Sequence, residues 1–455
     1  MGIEGLKAAA GRDLVSGRTH RPLLGAVLAI ACAGVVALSG PVHAQAAEEW
    51  WQGFGFGYTD QSTQGEKPAK EVEPQNDLRT DGMPWRSDEM LVAIDKAMGL
   101  YQRIVSAGGW PQIPGNRSMR PNDDDERVPT LRKRLAATGD MKGGYTDSYS
   151  YDSDVVEGVR RFQARHGLRE SGRVDRPTLA ALNVSAQERL DQLRLNYQRV
   201  SELLQQQVDQ RYVLVNVPAF QLEAVDNFNV EQRHRVIVGR PGRDTPTLRA
   251  SIKAMNFFPF WRVPDSVAKL DLIPKLQKEP QYLAQEKIRI FQDNFNGMEL
   301  DAAQIDWTQA DYQKIKFKQD PGEQNALGLV RLDMPNSEGV YMHDTPMKPL
   351  FGQASRPFSA GCVRVQGVFE LAEWLAKFEP GWGQPGRVQE VLSQGQALDV
   401  NLARAVPVFF TYITAWADQN GRVQFRADIY NRDGHQALSE VSDPDAPPPS
   451  AGLAP

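Results

Sequence analysis

The hydrophobic pattern of the chain changes its period near Tyr212, and this change constrains the fold more than any other feature. Upstream, apolar residues recur every three or four positions, as in 86–107, which is the spacing of an amphipathic helix. Downstream, short runs rich in β-branched and aromatic residues predominate, beginning with 212–217. Helices followed by strands predict an α+β multidomain protein with a β-rich mixed sheet.

Several further short segments carry the strand or helix pattern. Strands are predicted at 221–225, 234–238, 340–343, 362–365, 406–413 and 423–429, and a helix at 369–378. We expect the run at 423–429 to pair with 406–413 across the turn at 418–421. Residues 264–325 interrupt the strand pattern with polar and helical segments at 265–278, 280–286 and 306–314. They predict a helical insertion that caps the site, because long insertions in compact domains are usually functional.

The first residues have the organisation of an export signal. Four basic residues precede the charge-free run 23–40, and the small-residue pattern Val42-His43-Ala44 follows it. We therefore predict a signal peptide at 1–44 and a periplasmic protein. The alternative is an uncleaved anchor, and only then would the protein be attached to a membrane. The net charge of −5 gives no reason to propose nucleic acid as a partner.

Composition and periodicity divide the rest of the chain into predicted segments. These are a flexible linker at 45–84, a helical scaffold at 85–126, a three-helix unit at 127–184, a connecting helix at 185–210, a β-rich domain at 211–435 with its cap at 264–325 and its C-terminal β segment at 379–435, and a disordered tail at 436–455.

The three-helix unit carries a specific string. Phe162-Gln163, then His166-Gly167-Leu168, precede a short helix that runs to Asn183. The unit resembles the peptidoglycan-binding type 1 module, which implies peptidoglycan as a partner. The alternative is a structural spacer that no longer binds, since most of these residues belong to a core. We expect His166 to end a helix or to pack, not to bind a ligand.

The catalytic candidate is a cysteine with no other thiol to pair with once the signal is removed. Of the two cysteines, Cys32 lies in the signal and Cys362 lies in Ser359-Ala360-Gly361-Cys362-Val363-Arg364. His343, 19 residues upstream, is the candidate base, and the amides of Gly361 and Cys362 are candidate oxyanion donors. Arg364 would lie on the same strand face as the thiol, ready for a substrate carboxylate. The alternative for Cys362 is a buried inert thiol.

The spacing of His343, 15 residues and then Ser359-Ala360-Gly361-Cys362 resembles the signature of the L,D-transpeptidases with a YkuD-type catalytic domain. Ala360 stands where that family usually has histidine. Further matches at 259–264, 319–328, 335–336, 343–346 and 350–351 resemble its large Gram-negative subfamily, which carries a capping insertion. Phe258, Arg262 and Lys318 depart from the subfamily pattern.

This resemblance implies a mechanism. His343 would deprotonate Cys362, and the thiolate would attack the third residue of a tetrapeptide stem and release D-Ala. The side-chain amine of a second stem would resolve the thioester to a 3→3 cross-link, with no metal or other cofactor. Tyr341 and Trp261 would line the groove, the alternative being that these aromatic residues belong to the core, and Ser359 and Asp344 are further candidate substrate-binding residues. Acylation of Cys362 by carbapenems is also expected.

The sequence leaves the acceptor open. Water as the acceptor, instead of the amine of a second stem, would give a hydrolase. A protein lysine as the acceptor would give an enzyme that anchors proteins to peptidoglycan. A catalytically dead peptidoglycan-binding scaffold is the alternative from another class, and its thiol would have an ordinary pKa, whereas a lowered pKa is expected of an enzyme. Besides peptidoglycan stems, other envelope proteins are candidate partners.

Overall fold

The computed structural model describes residues 77–142, 146–206 and 210–434. The predicted signal at 1–44, the predicted linker as far as residue 76 and the predicted tail at 436–455 lie outside these ranges. Within them, no helix combines the length and the apolar character that crossing a membrane requires.

Five helices precede the sheet, as the three- and four-residue spacing predicts. They are α1 (Asp88–Ser106), α2 (Val128–Ala137), α3 (Ser153–Arg165), α4 (Arg176–Asn183) and α5 (Ala186–Gln205). Side-chain caps begin four of them: Ser87, Asp152, Asp175 and Ser185 each accept a bond from a first-turn amide. Helix α5 has a full capping box, because Glu188 also bonds the Ser185 amide.

Helices α2, α3 and α4 surround a separate small core that includes Leu131, Val159 and Phe162. This arrangement is the three-helix unit that the sequence predicts. His166 ends α3 and stacks on Phe162 with ring centroids 3.8 Å apart, so its expected packing role is confirmed. Phe425, from the C-terminal part of the chain, also stacks on the His166 ring, with ring centroids 5.4 Å apart.

The main sheet contains nine strands. They are β1 (Tyr212–Asn216), β2 (Gln221–Asp226), β3 (Asn229–Gly239), β4 (Leu248–Phe257), β9 (Val330–Asp333), β10 (Met342–His343), β11 (Pro357–Ser359), β12 (Val363–Val365) and β13 (Leu398–Thr411). Their order is β11-β3-β12-β10-β9-β4-β13-β1-β2, and β2 also pairs with β3. This last pairing closes the sheet into a ring. The predicted α+β class with a mixed sheet is confirmed.

Two helices cover the sheet on one side. Helices α6 (Val368–Ala376) and α7 (Arg387–Gln394) bury apolar residues such as Leu371 and Val391 in the same core as Met342 and Val363. The helix predicted at 369–378 corresponds to α6. Helix α7 was not predicted and lies inside the segment predicted as C-terminal β structure. Strand β4 was also not predicted.

The insertion has its own small sheet, which the sequence analysis missed. Four strands, β5 (Trp261–Arg262), β6 (Ile288–Gln292), β7 (Glu299–Leu300) and β8 (Ile315–Gln319), pair in the order β5-β8-β6-β7. Short helical turns lie at Asp265–Val267, Ala268–Leu272, Ile273–Leu276 and Tyr282–Gln285. The helix predicted at 306–314 is wrong, because these residues form turns. Strands of two to five residues show too few alternations to be recognised from periodicity.

The C-terminal hairpin pairs differently from the prediction. Strands β14 (Ala415–Ala417) and β15 (Val423–Phe425) pair with each other. The expected partner of the last run, 406–413, lies instead in β13, between β1 and β4. Strands β1 and β4 occupy both edges of β13, so 406–413 has no free edge for another strand. The hairpin therefore forms from residues that follow β13.

The last residues of the predicted flexible linker are ordered against the main sheet. Asp77 accepts bonds from Arg235 Nε at 2.7 Å and Arg356 Nη2 at 2.6 Å, and Met83 is 5% exposed. Trp85, which follows, is fully buried. The prediction of a flexible linker is therefore wrong for 77–84, where a few ionic contacts outweigh a composition that has few aliphatic residues.

Candidate active site

Two neighbouring strands bring the predicted catalytic residues together. Strands β10 and β12 are parallel, with Met342 opposite Val363 and His343 opposite Arg364. Cys362 immediately precedes β12, and the Val363 amide donates to the Tyr341 carbonyl at 3.0 Å. The sheet thus places the thiol beside the segment that carries the imidazole, although 19 residues separate them in sequence.

The loop before the thiol is held by short-range bonds. Ser359 Oγ donates to the Cys362 carbonyl at 2.6 Å and accepts from the Gly361 amide at 3.1 Å. The Gly361 carbonyl accepts from Thr245 Oγ1 at 2.8 Å, and Gly361 has a φ of 125°, which disfavours residues with a side chain. Ser359, predicted to bind substrate, therefore shapes the loop instead.

The hydrogen bond of His343 fixes its tautomer. Nδ1 contacts the backbone carbonyl of Asp344, which can only accept, so Nδ1 carries the proton in the neutral ring. Nε2 is buried and meets the geometry of no hydrogen bond among the described residues, although the Leu327 backbone also interacts with the ring and raises its pKa. The neutral imidazole therefore presents an unprotonated Nε2, which is the form that a general base needs.

Burial keeps both members of the pair uncharged. Burial, and then the nearby charge of Arg364, together lower the pKa of His343 to about 3. Burial also raises the pKa of Cys362 to about 11, against smaller opposing effects of Tyr341 and Arg364. The expectation of a lowered thiol pKa is therefore wrong for this arrangement. The resting pair is thiol and imidazole, not thiolate and imidazolium.

Tyr341 lies next to the thiol and is partly buried, and Trp261 lies next to Tyr341 and is buried. Trp261 is 1% exposed, and the Tyr341 hydroxyl interacts with both the Cys362 thiol and Trp261. Burial, and then the charge of Cys362, raise the pKa of Tyr341 well above its usual value. The phenol therefore keeps its proton and can donate a hydrogen bond at the site.

The oxyanion donors differ from those predicted. The Gly361 amide already donates to Ser359 Oγ, so it is not free to hold an oxyanion in this arrangement. Among the described residues, the Cys362 amide has no acceptor, and the Tyr341 hydroxyl lies nearby. These two groups replace the predicted pair of backbone amides as candidate donors.

Arg364 is buried beneath the site instead of being open to a substrate. It is 2% exposed, its Nη1 contacts Met347 Sδ at 3.4 Å, and its Nε has no partner among the described residues. Burial lowers its pKa to about 10, so it stays charged at neutral pH. The predicted contact with a substrate carboxylate does not fit this placement. Its charge instead acts on Cys362 and His343.

Asp344 holds the backbone around the imidazole. Its carboxylate accepts from the Leu329 amide at 3.0 Å and from Lys348 Nζ, while its own carbonyl accepts from His343. The carboxylate is 3% exposed. We therefore regard Asp344 as a residue that positions His343, not as the substrate-binding residue that was predicted.

Comparison with known proteins agrees with this geometry. The family profile described as the L,D-transpeptidase catalytic domain, YkuD, matches residues 210–389. Residues 210–389 are an L,D-transpeptidase catalytic domain of the YkuD family. A second profile, described as "Putative peptidoglycan binding domain", matches residues 124–182. Both resemblances found in the sequence are thereby confirmed.

One curated relative covers part of the chain. A protein of Haemophilus influenzae named "Putative L,D-transpeptidase" is 34% identical over 231 residues, which are 50% of this chain and 46% of the relative. The chain therefore spans just under half the length of this relative.

Solved structures with similarity to the chain include two L,D-transpeptidases. The Stackebrandtia nassauensis enzyme is 12% identical, with 66% of this chain and 96% of that chain covered and a TM-score of 0.24. The Mycobacterium smegmatis enzyme is 11% identical, with 44% and 58% covered and a TM-score of 0.22.

The insertion of the transpeptidase domain adjoins the site. Its core, which includes Trp261 and Phe317, packs against Tyr341 and Ala360. Asp271 of the insertion also pairs with two arginines that follow β3, at 2.8 Å from Arg240 and 2.5 Å from Arg243. Cys362 is consequently only 6% exposed. Ala360, where a histidine is usual in the resembling family, contributes its methyl group to this contact.

Three further residues support the transpeptidase site and were not predicted. Thr245 bonds the Gly361 carbonyl, Tyr430 donates to the Gly239 carbonyl, and Arg331 pairs opposite His343 on the other side of β10. Each comes from a distant part of the chain. No local motif surrounds any of them, so only the fold reveals that they belong to the site.

Proposed function

We propose that the protein is a cysteine L,D-transpeptidase that forms 3→3 cross-links between peptidoglycan stems. The observation that carries this proposal is that β10 and β12 bring His343, whose Nε2 is unprotonated, and the segment that begins with Cys362 onto neighbouring parallel strands within a YkuD-type domain. A peptidoglycan-binding module on the same chain agrees with that substrate.

In the first half-reaction, the Cys362 sulfur attacks the carbonyl between the third and fourth residues of a tetrapeptide stem. His343 Nε2 takes the thiol proton as the C–S bond forms, because neither group is charged beforehand. The Cys362 amide and the Tyr341 hydroxyl stabilise the oxyanion of the tetrahedral intermediate. The proton on His343 then passes to the leaving amine, the C–N bond of the tetrahedral intermediate breaks, and D-Ala departs to leave the stem bound to Cys362 as a thioester.

In the second half-reaction, the side-chain amine of a second stem attacks the thioester. His343 accepts the proton of that amine, and the Cys362 sulfur leaves and is protonated again. The product is an amide between the third residues of two stems, and the resting thiol and imidazole are restored. Arg364 stays charged throughout, and its field favours the sulfur anion over the imidazolium ion.

Two other outcomes use the same thioester. Water as the acceptor gives a tripeptide, and a protein lysine gives a protein anchored to peptidoglycan. The buried position of Cys362, which is 6% exposed, favours an amine over bulk water because a covered thioester is shielded from hydrolysis. The raised pKa of Cys362 agrees with the dead scaffold, whereas the presence of both His343 and Cys362 on neighbouring strands favours the enzyme.

We also propose a periplasmic location, since peptidoglycan lies outside the cytoplasm and residues 1–44 have the pattern of a secretory signal. The peptidoglycan-binding module would then hold the catalytic domain against its polymer. Other envelope proteins remain candidate partners.

The direct test is to mix the chain from residue 45 onward with disaccharide-tetrapeptide and to analyse the products by mass spectrometry. We expect a dimer that lacks one D-Ala, and we expect it to be absent for Cys362→Ala. The matched control is Ser393→Ala, which removes an exposed hydroxyl far from the loop in sequence.

Three results would change the proposal. Release of D-Ala with only tripeptide as product would make the protein a hydrolase toward this substrate. Cross-linking by Cys362→Ala would remove the thioester mechanism. No reaction, together with a Cys362 that carbapenems do not acylate, would favour the scaffold.

A further inference from the structure

The sheet of the insertion has two faces of different chemistry. Its inner face buries Trp261, Ile290 and Phe317 toward Tyr341 and Ala360. Its outer face carries the alternate residues of the same strands, because successive side chains point to opposite sides of a strand. This outer face is rich in cations and aromatic rings, and the proposed reaction uses none of them.

Three cations form a row across the outer face. Arg262 pairs opposite Lys318 between β5 and β8, and Arg289 pairs opposite Lys318 between β6 and β8. Directly opposed residues in antiparallel strands share a face, with Cβ atoms roughly 4.5–5.5 Å apart. We call Arg262, Lys318 and Arg289 the cationic row.

Only one member of the cationic row is neutralised by carboxylates. Arg289 pairs with Asp320 at 2.9 Å and with Glu299 at 3.3 Å. Among the described residues, neither Arg262 nor Lys318 has an ion pair. Both have aromatic neighbours instead.

Those aromatic contacts hold the two unpaired cations in place on the sheet. Lys318 Nζ lies 4.2 Å from the ring centroid of Phe291 and 5.4 Å from that of Phe260. The Arg262 guanidinium lies 5.8 Å from Phe295. Phe260 is 46% exposed, so its ring also offers a flat apolar surface to a ligand.

Repulsion between the cations of the row destabilises the folded sheet, and an anionic ligand would reduce that repulsion. Like charges directly opposite each other on neighbouring strands are destabilising, and Lys318 has a cation on both sides. The chain as a whole has a net charge of −5, so the cationic row is a local positive charge on an acidic protein. An anionic partner would supply the carboxylates that Arg262 and Lys318 lack.

We propose that the cationic row and Phe260 form a second contact site for the peptidoglycan polymer, separate from the thiol. Carboxylates of stem peptides would pair with Arg262 and Lys318, and a sugar ring would lie on the exposed ring of Phe260. This inference rests on the proposed function, because it assigns the same polymer to a second surface of the same insertion. Holding the polymer there would keep neighbouring stems close to Cys362.

Peptidoglycan fits this surface better than an anionic membrane. The row contains three cations, one of which is already paired, whereas stable attachment to anionic lipid takes clusters of about four to eight basic residues. An isolated, rigidly held pair of cations beside an aromatic ring suits discrete carboxylates spaced along a glycan chain.

The test measures co-sedimentation with purified peptidoglycan sacculi. The full chain carries Cys362→Ala, so that turnover does not alter the polymer and the result does not depend on catalysis. We expect Arg262→Gln/Lys318→Gln to weaken binding about tenfold at low salt and to flatten the salt dependence of binding. The matched control is Lys253→Gln/Lys278→Gln, which removes the same charge from exposed lysines outside the row and should bind like the parent.

Two outcomes would overturn the proposal. One is equal binding to sacculi by the row variant and the control. The other is a row variant that binds sacculi normally but loses binding to phosphatidylglycerol vesicles, which would make the surface a membrane contact. If Arg262→Gln/Lys318→Gln does not fold, the single variants Arg262→Gln and Lys318→Gln are compared with Lys253→Gln; each should weaken binding, and binding equal to that of Lys253→Gln by both would overturn the proposal. Failure of cross-linking with normal sacculi binding would count against the proposed reaction alone.

Discussion

His343 lies directly opposite Arg364 across the parallel strands β10 and β12, and both side chains are buried. A cation and a base thus share one face of the sheet in a water-poor environment. The positive charge of Arg364 opposes protonation of the imidazole and favours ionisation of the thiol. Burial sets the protonation state of the site and the charge of Arg364 modifies it, and the first two predictions follow from these two effects.

The pH dependence of Cys362 acylation should be flat through neutral pH. Because the pKa of His343 is lowered to about 3 and that of Cys362 is raised to about 11, neither group changes its charge near pH 7. The rate of acylation by a carbapenem, followed by absorbance from pH 5 to pH 9, measures this. A clear acid limb near the ordinary imidazole pKa of about 6.5 would contradict it.

Arg364→Met should raise the pKa of both His343 and Cys362, since a nearby cation that lowers both is removed. The acid limb of the acylation rate should move toward neutral pH. Arg364→Lys keeps the charge and should shift the limb less. A histidine resonance followed by NMR during a pH titration gives an independent reading. Identical titrations in the two variants would show that the charge of Arg364 does not act on His343.

Stability should fall on both sides of neutral pH. The folded pKa of His343 lies below its ordinary 6.5, so the unfolded chain gains a proton first and stability is lost as pH falls from 6.5 toward 3. The folded pKa of Cys362 lies above its ordinary 9.0, so stability is lost as pH rises from 9 toward 11. Each group contributes a slope of about 1.4 kcal/mol per pH unit within its window.

Chemical denaturation at a series of pH values measures these slopes. His343→Gln should reduce the acidic slope and Cys362→Ala the alkaline one, each leaving the other unchanged. The prediction fails if His343→Gln has the acidic slope of the parent protein.

Gly167→Ala should loosen the contact between the peptidoglycan-binding module and the C-terminal hairpin. A Cβ at Gly167 would lie 2.6 Å from Arg426 Cδ, and Gly167 has a φ of 63°. We expect a loss of about 2 kcal/mol in the free energy of unfolding. The matched control is Gly139→Ala, whose φ of 73° imposes similar strain but whose Cβ would meet no atom within 4 Å.

Differential scanning calorimetry, with hydrogen exchange to locate the change, compares the two glycine variants. The excess loss in Gly167→Ala over Gly139→Ala measures the contact with Arg426. Equal losses would mean that strain alone is responsible and that the module does not depend on this contact.

Asp77→Asn should weaken the segment that contains the catalytic loop. Asp77 pairs with Arg356, which is fully buried three residues before Ser359, so loss of the Asp77 charge leaves a buried guanidinium with only backbone carbonyls as partners. Removing one partner of a buried ion pair costs about 3–5 kcal/mol, and the partial exposure of Asp77 places the expected loss near the lower figure. Denaturation and the rate of Cys362 alkylation should both respond. Asp95→Asn, on the exposed side of α1, is the control and should change neither.

The sequence by itself determined the change from helices to strands near Tyr212, the module predicted at 127–184, which the family profile matches at 124–182, and the choice of His343 and Cys362 as candidates that the fold places on neighbouring strands. These features are local, because periodicity, capping residues and a motif of fixed spacing all depend on residues that lie close together in the sequence. The helical spacing at 86–107, for example, became α1 with little change at either end.

Only the tertiary structure decided how the site works. Burial reversed the expected pKa of Cys362, and strand register placed Arg364 beneath the imidazole instead of toward a substrate. The four strands of the insertion and the contact of Asp77 with Arg356 also arise from pairing between distant segments. Burial, strand register and long-range ion pairs depend on residues far apart in the chain, so no local sequence pattern predicts them.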